Sequence, residues 1–489
     1  MKKLLSVLLA IALLLTAFSA FAEDAGGTPP EAPPGGFGGG NPPGEPPEGF
    51  GGGNPPGEPP EGFGGGNPPG GGFGGGTPPG ASAANVTYTA ATEINSESTQ
   101  LTRQNESYAS DTADENALLI SRAGVTLDSP TVTKTGDSDG GDSCNFYGLN
   151  AAVLIKDGAD VVITGGTVES SASGANGVFV YGGNGGSNGA AGDGTTLHIS
   201  GTVITTTGDG SGGIMTTGGG VTWAENLTVT TSGRSSAPIR TDRGGGTVVV
   251  DGGTYTSNGL GSPAIYSTAD ITVSNATLVS NLSEGVCIEG MNSITLENCD
   301  LTASNTQCNG NATFLDTIMI YQSMSGDADS GTSAFTMTGG SLTSLSGHMF
   351  HVTNTHAVIT LSGVNLVNQG SDVLLSVCDD GWNGASNTAE LVADAQVLSG
   401  TVLVGSNSTL TLALKNGSSF EGSISGEISN AKGTQISTEV GTVSVALDET
   451  STWTLTADTC ITSFSGNAGN VISNGYTLCV GGAALEGTN

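Results

Sequence analysis

The sequence predicts an all-β chain wound as a parallel β-helix, a solenoid of short strands. Three observations point there. Charged residues make up only 11% of the 489 residues while glycine takes 82 positions, so good helix formers are scarce. A short apolar phrase ending in a turn recurs: Val161-Val162-Ile163-Thr164-Gly165-Gly166-Thr167-Val168 resembles Leu197–Ile204, Val248–Tyr255, Ile271–Leu278, Ile294–Leu301, Phe335–Leu342 and Ile359–Leu366. A second apolar strand lies between copies, at Val153–Ile155, Val178–Val180, Ile214-Met215, Ile239, Ile265-Tyr266 and Val286–Ile288, and Ile214, Ile239, Ile265 and Ile288 are 25, 26 and 23 residues apart.

Each repeat holds strands of three to five residues with Gly, Asn or Asp at the corners, residue types that tolerate tight or left-handed turns. None has room for a crossover helix. A unit this small cannot cover its own apolar face, so it stacks on copies of itself. Coiling it sets parallel strands about 4.8 Å apart, with Val, Ile and Leu inside and Thr and Ser outside; roughly 16 turns after residue 100 would make a rod of about 75 Å. From about residue 400 the turns shorten, and Leu410–Leu414, Val443–Leu447 and Trp453–Leu455 alternate cleanly. The terminal turn must shield an open sheet edge, a task for which Trp453 and Tyr476 are the candidates.

The N-terminal part reads differently. Lys2 and Lys3 precede the apolar run Leu4–Phe18, and Ala20-Phe21-Ala22 supplies a small-x-small cleavage signal before Glu23. Residues 1–22 are therefore expected to be a signal peptide, and the chain to be exported, secreted or surface-associated, without stable membrane insertion. Residues 23–84 carry 16 of the 19 prolines, and the unit Gly36–Glu48 recurs from Gly49, then in shortened form from Gly62 and Gly72. Such a Gly/Pro-rich segment buries too little apolar surface to offset its ordering entropy, so a disordered tether is expected there. The β-helix then runs over 85–400, with shorter turns and a cap over 401–489.

The formal net charge is −34, from 11 basic and 45 acidic residues. A nucleic-acid partner is excluded by phosphate repulsion. Seven cysteines without C-x-x-C spacing argue against a zinc site and against a dense disulfide scaffold. Buried apolar thiols or an isolated cross-link such as Cys460–Cys479 both fit.

The phrases Ile239–Gly246, Ser262–Ser267 and Thr450–Leu455 resemble those of the pectin-lyase-like right-handed parallel β-helix proteins, more narrowly secreted adhesin-like or carbohydrate-binding β-helix proteins of anaerobic bacteria. The resemblance covers most of the chain after residue 100. It implies a right-handed coil, and it implies a polysaccharide or cell-surface glycan as partner. Such folds host lyases, hydrolases and plain binders alike, so a non-enzymatic carbohydrate-binding or adhesive protein stands beside a calcium-dependent pectate-type lyase and an ice-binding or purely structural solenoid.

Three local features carry candidate chemistry. Arg234, Arg240 and Arg243 fall within ten positions in a chain poor in cations, with Asp242 between the last two. Arginine grips a uronate carboxylate bidentately, although pairing with Asp242 or with neighbouring turns explains the cluster equally. Asp379, Asp380 and Trp382 sit in a Gly/Asp-rich probable loop, where an exposed indole stacks on sugar and carboxylates bind hydroxyls; a buried loop anchor is the competing reading. Asp137, Asp139 and Asp142 offer three carboxylates around turn-forming glycines, a possible Ca2+ site or a solvated acidic loop. A hydrolase would need one raised and one ionised carboxylate close in space, which the lone Asp379-Asp380 pair in a loop does not establish. Gly208–Gly213 satisfies G-x-G-x-x-G at a frequency chance explains. His348 and His351, three apart on a strand, are expected on opposite faces, so no zinc site is read there.

Overall fold

The computed structural model describes residues 86–95, 100–185, 191–382 and 387–489, all within the compact unit Asn67–Asn489. The expected leader and tether lie outside these residues. The described chain is a parallel β-helix, with 53% of residues in strands and 2% helical. No described helix is long and apolar enough to cross a membrane.

Each full coil contributes one strand to a 13-stranded sheet, here sheet A, which runs from Thr89–Asn95 to Ile424-Ser425 and contains every member of the second apolar series. The recurring phrase forms a bent pair of strands in a 22-stranded sheet, sheet B, also parallel throughout. Along sheet B, Val125, Val161, Leu197, Thr222, Val248, Ile271, Ile294, Phe335, Ile359, Leu391, Leu412 and Val445 stack in register, one per coil, all facing the core. Burying each large apolar side chain contributes about 1.5–3 kcal/mol. The lone polar rung is satisfied by its own coil: Thr222 Oγ1 shares a 2.7 Å hydrogen bond with Thr216 Oγ1.

The bend has a common cause on twelve successive coils. A residue in the left-handed region sits at the corner, at Asn105, Ser129, Gly165, Gly201, Asn226, Gly252, Asn275, Asn298, Gly339, Gly363, Ala395 and Asn416, with φ between 49° and 72°, and a second follows it at Gly166, Gly253, Gly340 and Gly417. Gly and Asn dominate the row because they reach that region cheaply; Ser129 and Ala395 depart from it. Beside this corner Gly340 (φ 70°) packs so tightly that a Cβ would lie 2.0 Å from the Cys299 carbonyl oxygen.

Two expectations need correction. Thr and Ser do face outward on sheet B, but the outer face of sheet A is covered, because the apolar runs there do not alternate: Leu154 and Phe179 pack under Phe146 and Tyr147, and Leu403 under Phe314 and Ile428. A parallel sheet buried on both faces has this sequence character. Trp453 is also not an end cap. It is fully buried, stacks on Phe420 at 5.7 Å and donates Nε1–H to the Gly422 carbonyl at 3.0 Å. The end is closed instead by a hairpin of Leu478–Val480 with Ala483-Ala484.

The coils shorten at one step. The corner between Asn365–Asn368 and the next sheet A strand has four residues, whereas Gly400 alone joins Val397–Ser399 to Thr401–Val404. Here the outer ladder of sheet B stops: Asn365–Asn368 pairs only with the preceding coil, and Val397–Ser399 begins a separate four-stranded sheet. The Gln396 side chain pins one end of the gap, accepting from Val364 N–H at 2.7 Å and donating to the Val364 carbonyl at 2.8 Å.

Candidate functional site

Sheet A presents a second ladder outward. Leu154, Phe179, Met215, Arg240, Tyr266, Cys287, Met319, His351, Ser376 and Leu403 are register partners from coil to coil. The row is apolar at both ends and mostly polar between; of the expected glycan residues Arg240 stands on it, and Asp380 reaches it at His351. Arg240 and His351 stand four coils apart, about 19 Å at strand spacing, so those residues form two patches rather than one.

In the first patch the guanidiniums are occupied. Arg240, Asp242 and Arg243 are each less than 10% exposed. Arg240 Nη2 donates to Asp242 Oδ2 at 2.9 Å, and its Nη1 donates to Asn145 Oδ1 at 3.3 Å and to the Ser235 carbonyl at 3.2 Å. Arg243 Nη2 donates to Asp327 Oδ1 at 2.6 Å, and its guanidinium lies 4.1 Å from the Phe146 ring centroid. Burial pushes the Asp242 carboxyl up to about 7; Arg240 opposes the rise, while Asp327 and Glu289 add to it.

Glu289 links this patch to the next. Its Oε2 accepts from Tyr266 Oη at 2.6 Å and from Tyr321 Oη at 3.1 Å, and its Oε1 from the Ser323 hydroxyl. Burial nonetheless raises its carboxyl above the ordinary value. Glu284, in the corner before Val286–Glu289, and Asp316, which opens Asp316–Tyr321 on the next coil, are buried and raised by burial as well.

The second patch holds Asp379, Asp380 and Trp382. Asp379 Oδ1 accepts from Asn387 Nδ2 at 2.6 Å. Asp380 Oδ1 accepts from Thr313 N–H, Thr313 Oγ1 and Gly381 N–H at 2.7, 2.6 and 2.6 Å, fastening two loops together. Its Oδ2 lies 3.4 Å from His351 Nε2. Burial opposes ionisation of Asp380, but His351 and these donors outweigh it and hold the carboxyl below its usual range. The Trp382 ring packs 4.8 Å from Tyr321 and stays partly exposed, while its buried Nε1–H meets no acceptor among the described residues.

His348 and His351 share one side of their strand, against expectation. Met349 and Phe350 between them both face the core, which breaks strict alternation where the chain rounds its corner. Both imidazoles reach Ser376 Oγ from Nδ1 at 2.8 Å.

The three candidate calcium ligands are not brought together. Asp137 Oδ1 accepts from Ser173 N–H at 2.8 Å, Asp139 is exposed, and Asp142 opens the short helix α1 (Asp142–Tyr147), within electrostatic reach of Arg243. Among the described residues no three His, Cys, Asp or Glu side chains assemble as a metal set. A separate concavity of about 670 Å³ opens at the ladder gap, lined by Met349, Val364, Leu366, Asn368, Asp372 and Val397; none of the expected site residues reaches it.

Glu284, Glu289, Asp316 and Ser376 were missed from sequence. The available signal was an acid set directly against an apolar run, as in Val286-Cys287-Ile288-Glu289 and Asp316-Thr317-Ile318. No protein family, curated protein or solved structure matches the chain.

Proposed function

We propose that the protein is an exported, non-enzymatic β-helix that binds carbohydrate through the loops lying over sheet A around Trp382. The supporting observation is the half-exposed indole on Tyr321, with Asp379 in the same loop and the Asn354 amide bonded to the Trp382 carbonyl. A sugar ring stacks on such a face and its hydroxyls meet the carboxylate and amide groups. The fixed anchoring of Asp380 preorganises the loop, which lowers the ordering cost of binding. Because Arg240 and Arg243 are buried and paired, the favoured ligand is a neutral glycan rather than a uronate polymer. The same pairing leaves neither arginine free as the base a pectate-type lyase needs.

The test is a glycan array followed by calorimetry on the hit. Trp382→Ala should weaken binding at least tenfold, about 1.4 kcal/mol, with little change in Tm. Arg240→Ala/Arg243→Ala should lower Tm instead, by leaving Asp242 and Asp327 unpaired. Unsaturated, ultraviolet-absorbing products from uronate polymers with calcium would overturn the non-enzymatic reading, and an array without a hit would overturn the carbohydrate reading.

A further inference from the structure

We propose that Cys460 and Cys479 are an oxidisable pair whose disulfide clasps the last coil of the solenoid. They are direct register partners on the parallel strands Thr459–Ile461 and Leu478–Val480. Parallel partners lie about 4.8 Å apart at Cα, inside the window that a disulfide spans. Neighbouring backbone bonds fix that register: Thr459 N–H donates to the Thr477 carbonyl at 2.9 Å and Gly481 N–H to the Ile461 carbonyl at 3.0 Å. On the first strand Thr459 and Ile461 are buried and Cys460 is exposed, so its thiol projects outward, on the side its in-register partner shares. The two thiols sense one another directly, for Cys479 is the foremost cause of the raised Cys460 thiol.

The other five cysteines behave differently. Cys144, Cys287, Cys299 and Cys378 are buried, and Cys308 is half-buried with its thiol on the Phe314 carbonyl at 3.5 Å. An odd total of seven is thus resolved into one facing pair and five single thiols.

The chemistry is thiol–disulfide exchange with a small-molecule or protein disulfide as oxidant. The Cys460 thiolate attacks that disulfide, forming a mixed disulfide and expelling one thiolate. The Cys479 thiolate then attacks the Cys460 sulfur and expels the second. The protein loses two protons and two electrons, and the oxidant becomes two thiols. The bond closes a short loop around the terminal coil, holding Val471-Ile472 and the closing hairpin over the end of the core. Oxidising extracellular conditions favour such a bond, and the inference does not depend on the ligand.

The full chain, reduced and then equilibrated with oxidised glutathione, is denatured and its thiols titrated. Five thiols, and a proteolytic peptide joining Cys460 to Cys479, are expected. Seven thiols, or a bond mapped to another pair, would overturn the proposal. Reductant should lower the wild-type Tm by about 2–6 °C and expose the segment between the two cysteines to protease, while Cys479→Ser should show neither response. A mapped bond whose reduction changes neither Tm nor cleavage would refute the clasp.

Discussion

His348 and His351, three residues apart on one strand, both direct Nδ1 to the same hydroxyl oxygen, Ser376 Oγ, at 2.8 Å. A hydroxyl has one proton and two lone pairs, so it can accept from both rings while donating to the Phe350 carbonyl at 3.5 Å, or accept from one ring and donate to the other. With His351 Nε2 facing Asp380 Oδ2, the satisfying chain is His348 Nδ1–H to Ser376, Ser376 O–H to His351 Nδ1, and His351 Nε2–H towards Asp380.

Ser376→Ala removes the shared partner and strands one buried and one half-buried ring nitrogen. Each unsatisfied buried group costs about 1–3 kcal/mol. Thermal denaturation should therefore show a loss of at least several degrees, while Ser376→Thr, which keeps the hydroxyl, should recover part of it. Nitrogen chemical shifts should report opposite tautomers for the two histidines, and identical tautomers would refute the chain.

Acidification should stabilise the fold. The Asp242 carboxyl, pushed up to about 7 by burial, takes up a proton in the folded state before it does so unfolded. Stability therefore rises as pH falls from about 7 towards the unfolded value near 3.9. Glu284, Glu289 and Asp316 are shifted in the same direction. His348 opposes them: burial lowers its imidazole to about 4, so its contribution is lost as pH falls from about 6.5 towards 4. Tm should climb between about pH 8 and 6.5 and climb less steeply below, and His348→Gln should restore the slope. A Tm that falls across the upper window would contradict the buried-carboxylate account.

The left-handed corner row makes opposite predictions at two positions. Ala395 adopts φ 49° at an exposed corner where neighbours use Gly or Asn. Ala395→Gly should stabilise by about 0.5–1 kcal/mol, because an alanine there bears the αL strain. Gly340→Ala forces a Cβ against the Cys299 carbonyl oxygen and should cost more than that gain. Urea midpoints at constant slope would test both.

The solenoid was legible because its repeats print one β-branched phrase per coil and one Gly or Asn per corner. Both are local requirements, so Val161–Val168 and its copies could be aligned by eye. The cover over sheet A was less so. Helix α1 and the loops bearing Ala312 and Asp380 are single occurrences with no periodicity, and their partners come from several coils, Thr217 for Phe146 and Thr313 for Asp380 among them. The unbroken apolar character of Val178-Phe179-Val180 did announce two buried faces. The arginine cluster was visible, but its burial was not, since Asp327, 84 residues from Arg243, supplies the pairing. The histidines were misread because strict period-2 alternation fails where Met349 and Phe350 turn inward together.

The interrupted ladder between Asn365–Asn368 and Val397–Ser399 also has a mechanical meaning. From Thr89–Asn95 to Ile424-Ser425 every other coil junction is stitched along three lines, and this one along two, with the Gln396 amide as a patch. A rod pulled along its axis yields at its weakest cross-section. If the protein tethers a cell to a surface, load should part it there first, releasing the coils from Val373 onward as one block while the upstream coils stay wound. A force–extension trace would then show one early rip of fixed contour length, ahead of the coil-by-coil unwinding of the rest.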